Sequence, residues 1–109
     1  MRVAFGLVVA TGLLSAVMCQ NSGIAAPAGD PAYGRLLAQT WCSSCHLVAP
    51  NEDRPVLADV PTFTDIARRL PDDADVLAAF IADPHPPMPN LSLSRKDIRD
   101  ILAYLATLK

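Results

Sequence analysis

Positive charge is scarce in this chain. Nine Lys and Arg stand against 11 Asp and Glu, a net charge of −2 with His neutral. Without a basic surplus there is no electrostatic footprint for nucleic acid. Alternating apolar and polar runs of any length are also missing, so there is no strand signal, and neither repeats nor low-complexity segments occur. The only long apolar run is Val3–Met18, shorter than the roughly 20 residues of a membrane-spanning helix. Metal-binding side chains are few: 2 His, 3 Cys and 3 Met.

What is present at the N-terminus has three parts. Arg2 supplies a positive charge, Val3–Met18 is uncharged and apolar, and small residues follow at Ser22, Gly23, Ala25, Ala26 and Ala28. This is the pattern of a secretory signal peptide. Residues 1–26 are expected to be cleaved, with the cut after Ala25, Ala26 or Ala28; an uncleaved anchor is the alternative. Cys19 could suggest a lipidation site, but Met18 before it is too large, and Cys19 is expected to leave with the leader. Residues 27–109 then form one small domain, more acidic still, since Arg2 goes and no acid does. A domain of this size commonly needs a staple.

Within it, Asp30-Pro31 reads as a helix cap followed by proline at the first helical position. The helix carries Tyr33, Leu37 and Trp41 on one face and should end at the cysteine pair. Residues 47–61, with Pro50, Pro55 and Pro61, read as loop. Pro61 opens a short helix from Thr62 to about Leu70. Pro71-Asp72-Asp73 ends it and caps another, about Ala74 to Ala82. The segment from Asp83 to Asn90 holds Pro84, Pro86, Pro87 and Pro89 and must be a stiff loop. Ser94 and Asp97 resemble a capping box, with Asp in place of Glu. The last helix bears Ile98, Ile101, Leu102, Leu105 and Leu108 on one stripe. The fold class is all-α, three to four helices around one core.

The chemistry lies in Cys42-Ser43-Ser44-Cys45-His46. C-type haem is attached by two thioethers, which needs two cysteines about one helical turn apart, and the adjacent histidine then meets the iron. Three other readings compete. A thioredoxin-like redox pair needs a strand before it, but here a helix leads in. A zinc site needs four ligands, which Cys42, Cys45, His46 and His85 could supply. A plain disulfide is the simplest alternative. Haem is the favoured reading, attached through Cys42 and Cys45, with His46 as an iron ligand.

Methionine, histidine or an open position are the usual partners of a haem histidine. Met1 and Met18 would leave with the leader, so Met88 is the one methionine of residues 27–109. It lies off any helix, among Pro86, Pro87 and Pro89, which would hold the thioether with little loss of entropy. His85 is the rival.

These segments, taken in order, resemble the class I c-type cytochromes, above all the short bacterial periplasmic members. The match covers all of 27–109: a leading helix with Gly34, the Cys42–His46 motif, Pro61-Thr62-Phe63-Thr64-Asp65-Ile66-Ala67, the Pro87-Met88-Pro89-Asn90 loop, and Asp97-Ile98 through Tyr104-Leu105. The resemblance implies that a proline carbonyl accepts the Nδ1–H of His46; Pro61 matches by its neighbours and Pro55 by distance. It also implies a close crossing of the first and last helices, with Gly34 at the contact and Tyr104 over it. Trp41 is expected to pack on the haem. The 47–60 loop departs from the family's lysine-ringed members: it has no lysine, and carries Glu52, Asp53, Asp59 and one Arg54.

The function so implied is electron transfer by one haem c with His46 and Met88 as iron ligands, and not an enzymatic reaction. The protein would be periplasmic, either diffusible or a cytochrome subunit of a dehydrogenase or oxidase. Its partners would be redox proteins, with no small-molecule substrate, and with a membrane only if the leader is retained. The alternative is a five-coordinate or bis-histidine haem protein, a small peroxidase or a gas or redox sensor.

Overall fold

The computed structural model describes residues 28–69, 74–84 and 86–109. The leader, the Leu70–Asp73 junction and His85 lie outside them. Among the described residues the fold is all-α, with no strand.

Helix α1, Pro31–Leu37, starts where local chemistry requires. The Asp30 carboxylate accepts from the amides of Ala32 and Tyr33 at 2.9 and 3.1 Å, and Pro31 occupies a position whose N–H has no helical partner. The helix continues as a π-helical segment, Ala38–Cys42. Two hydroxyls bond back to carbonyls four residues earlier along this stretch. Thr40 Oγ1 donates to Leu36 O at 2.8 Å and Ser43 Oγ to Gln39 O at 2.6 Å.

The short helix α2, Phe63–Arg69, follows Thr62, whose hydroxyl accepts the Asp65 amide at 3.0 Å. Helix α3 is Ala74–Ala82 and α4 is Arg95–Ala106. The capping box expected at Ser94 is present. Ser94 Oγ accepts the Asp97 amide at 3.1 Å, and Asp97 Oδ2 accepts the Ser94 amide at 3.0 Å.

Helices α1 and α4 cross at Gly34. A Cβ there would fall onto the carbonyl of Asp100 and lie 2.9 Å from the amide nitrogen of Ile101. Gly29, just ahead of α1, meets the Arg99 carbonyl equally closely. Only a residue without a side chain lets two backbones approach so far. Beneath the crossing, Leu37, Ala38, Cys42, Val48, Phe63, Ala67, Ile101, Tyr104 and Leu105 form the core.

Two faces differ from the sequence pattern. The buried stripe of the first helix is Gly34, Leu37, Ala38 and Cys42, while Tyr33 and Trp41 are exposed. The crossing needs its contact at Gly34, and that turns Tyr33 outward. On α4, Asp100 and Tyr104 are buried with Ile98, Ile101 and Leu105; Leu102 is half-buried, and Leu108 lies beyond the helix end. Asp100 is only 2% exposed. It is tolerated because both oxygens are used: Oδ1 accepts the Asp30 amide at 2.8 Å and Oδ2 the Lys96 ammonium at 2.7 Å.

Candidate functional site

The π-helical segment delivers Cys42 to a tight turn. Cys42 O accepts the amides of Cys45 and His46 at 3.2 and 2.9 Å, so the motif folds back on its first cysteine. Cys42 is buried and Cys45 exposed, and both are free thiols. Burial pushes the Cys42 thiol above its ordinary value. That is the reverse of the depressed thiolate in a redox-active Cys-x-x-Cys pair.

His46 is oriented by its ring nitrogen. Nδ1 lies 2.7 Å from the carbonyl of Pro61. A carbonyl only accepts, so Nδ1 is the donor of this bond and Nε2 is the ring nitrogen left for a metal. Phe63 meets the ring edge-on, with centroids 5.7 Å apart, and Phe63 N donates to Leu47 O at 2.9 Å. The helix that begins after Pro61 therefore sets both the ring and the chain that follows it.

A cavity of about 410 Å³ opens in front of this turn. Trp41, Cys42, Cys45 and His46 line one part of it, and Pro61, Phe63 and Ile66 another. Helix α3 contributes Leu77, Phe80 and Ile81, and α4 contributes Ile101 and Leu105. Helix α3 has no fully buried residue; its apolar side faces this space. Pro87, Met88 and Pro89 complete the lining. All six described candidates, Trp41, Cys42, Cys45, His46, Pro61 and Met88, therefore border one cavity. Trp41 stands at its edge with 53% of its surface open.

The walls offer apolar side chains, two thiols, an imidazole nitrogen and a thioether. That set suits a flat apolar macrocycle carrying iron: the thiols for attachment, and N and S donors for the metal. Among the described residues no cluster of three or more His, Cys, Asp or Glu is placed to hold a bare metal ion.

Residues 31–109 match the Cytochrome c family. The chain belongs to the cytochrome c family. It is also 42% identical to cytochrome c-552 of Bradyrhizobium diazoefficiens over 98 residues, which cover 90% of this chain and 93% of that protein. No solved structure matches it significantly. Cytochromes c are electron-transfer proteins with covalently bound haem c, and Cys42 and Cys45 have the spacing that attachment requires. No helix among the described residues of this cytochrome is long and apolar enough to cross a membrane.

Sequence reasoning missed several parts of the site. Tyr104 Oη donates to Val48 O at 2.7 Å, 56 residues away. Glu52 and Arg54 read as loop surface charge, yet they are bonded into the chain beside His46. Glu52 Oε1 accepts the amides of Val48 and Ala49 at 2.6 and 2.7 Å. Arg54 bridges Glu52, with Nε 2.8 Å from Oε2, and the carbonyl of His46. A Glu-x-Arg spacing in a loop carries no periodic signal that would announce this.

Proposed function

We propose that this cytochrome carries one haem c on Cys42 and Cys45, with His46 Nε2 and Met88 Sδ as its axial ligands. It passes single electrons between redox proteins in the periplasm, as a free carrier or as the cytochrome subunit of a dehydrogenase or oxidase. The observation that carries the reading is the Nδ1 contact of His46 with Pro61 O at 2.7 Å, beside a cavity that Cys42, Cys45 and Met88 also line.

When bound, the haem supplies a one-electron iron couple. The rest is work of the chain. The Pro61 carbonyl fixes the His46 ring and raises the basicity of Nε2. Pro87 and Pro89 stiffen the chain on either side of Met88, so little chain entropy would be lost on ligation. The apolar side chains of α3 and α4 line the cavity and would cover the faces of the ring. With both axial positions filled, the iron would offer no place for a substrate, as a carrier requires.

Export is supported by the leader pattern in residues 1–26. The alignment with the Bradyrhizobium protein is longer than the family match and so reaches upstream of Pro31 into that segment.

The ligand assignment is tested on the oxidised, haem-loaded protein. Met88→Ala should abolish the sulfur-to-iron charge-transfer band, lower the potential and open the ferrous iron to carbon monoxide. His85→Ala should leave the band in place. Loss of low-spin character in His85→Ala, with none in Met88→Ala, would make the haem bis-histidine and sink the assignment.

A further inference from the structure

The chain leaving His46 is held at every turn. The carbonyls of residues 46, 47 and 48 each accept a hydrogen bond from a different part of the fold. His46 O takes Arg54 Nη2, Leu47 O takes the Phe63 amide and Val48 O takes the Tyr104 hydroxyl. Two of these tethers end on the rigid helices α2 and α4. The third ends on a loop side chain that is itself pinned. Arg54 Nε is 2.8 Å from Glu52 Oε2, and Glu52 Oε1 holds the next two amides, Val48 and Ala49. The two side chains are 33% and 22% exposed. The planar guanidinium presents N–H groups in fixed directions, so one side chain serves both the carboxylate and the His46 peptide. A lysine carries the charge but lacks that fork.

We propose that Arg54, bonded to the His46 carbonyl, and Glu52, bonded to the Val48 and Ala49 amides, act as an opposed pair of charges that trims the reduction equilibrium of the haem in opposite directions. The inference rests on His46 being an iron ligand. Reduction removes one positive charge from the iron. A guanidinium bonded to the His46 carbonyl therefore favours the reduced state, and the Glu52 carboxylate favours the oxidised one. Each partly cancels the other. The Arg54 hydrogen bond also holds the Glu52 carboxyl below its usual range.

The test uses haem-loaded E52Q, R54Q, R54K and the E52Q/R54Q double variant. Each is equilibrated with a redox dye of known potential. R54Q should shift the equilibrium toward the oxidised form by roughly two- to tenfold, the order expected of one partly screened charge. E52Q should shift it by a similar factor toward the reduced form, since the amide side chain of that variant still offers an oxygen to the Val48 and Ala49 amides. The double variant should return close to wild type, and R54K should stay near wild type in potential while unfolding at lower urea. Shifts of the same sign in E52Q and R54Q, or none, would reduce the pair to a loop brace and overturn the proposal. If R54Q fails to take up haem, E52Q and R54K decide alone. Wild-type protein without a low-spin histidine-ligated spectrum would instead defeat the ligand assignment beneath it.

Discussion

Replacing Gly34 with alanine sets two effects of opposite sign against each other. In an exposed helix the change would stabilise by about 1 kcal/mol, because alanine loses less backbone freedom on folding. At Gly34 the added methyl lands on the Asp100 carbonyl and within 2.9 Å of the Ile101 amide nitrogen. Contacts between carbons are comfortable only from about 3.5 Å. The obstacle is backbone, so no side chain can rotate away, and α1 must back off α4. That thins the packing of Leu37 and Ile101 and stretches the bond from the Asp30 amide to Asp100, now 2.8 Å. Overpacking of this kind costs about 3 kcal/mol, the upper end of the usual span. The net loss is then about 2 kcal/mol. Thermal unfolding of the oxidised protein, followed by circular dichroism, should move down by about 8–16 °C. The urea midpoint should fall by about 1 M. A Gly34→Ala protein as stable as wild type would show that the helices do not meet at this residue.

Tyr104→Phe should cost about 1–3 kcal/mol, since it strands the buried Val48 carbonyl and changes little else; a urea midpoint equal to wild type would mean the carbonyl has another partner. Asp100 is held below the ordinary carboxylate range, first by the Lys96 hydrogen bond and then by the Asp30 amide. A depressed carboxylate contributes stability above its unfolded pKa of about 3.9 and loses it as pH falls through the folded value. Asp100→Asn should therefore flatten the acid limb of the stability curve below about pH 4, and an unchanged limb would assign the effect elsewhere. N-terminal sequencing of the exported protein should start between Ala26 and Gly29, whereas a retained Met1 would mean a membrane-anchored form.

The features legible in the sequence are those whose cause is local. The Asp30-Pro31 start, the Ser94–Asp97 box and the helix after Pro61 each depend on partners a few residues away, and the structure has them. The Cys42–His46 motif is legible for the same reason. Long-range bonds left no periodic trace. Asp100 looks like a surface residue by type; its burial is possible only because an amide 70 residues away completes it. The family resemblance puts Tyr104 over Gly34, but it does not announce that the hydroxyl fastens the Val48 carbonyl. Helical spacing groups Tyr33 with Leu37 and Trp41. Spacing cannot say where a neighbouring backbone crosses, and the crossing at Gly34 puts Tyr33 outside. Pro61 over Pro55 is now a geometric statement, because Pro61 O is the carbonyl that meets Nδ1.

The Gly34–Asp100 contact also has a topological meaning. It joins two points near the ends of the domain and so closes residues 35–99 into a ring. Closing a flexible ring of about 65 residues costs about 3.7 kcal/mol in chain entropy, and doubling its length would add only about 0.6. Cys42, Cys45, His46, Pro61 and Met88 all lie on that ring. Once the crossing has formed, these residues share one tethered circuit, and bringing any two together is a matter of smaller sub-loops. Insertions between α2 and α3 would enlarge the ring at little thermodynamic cost, whereas loss of either crossing helix would reopen it and return the whole entropic penalty to the site.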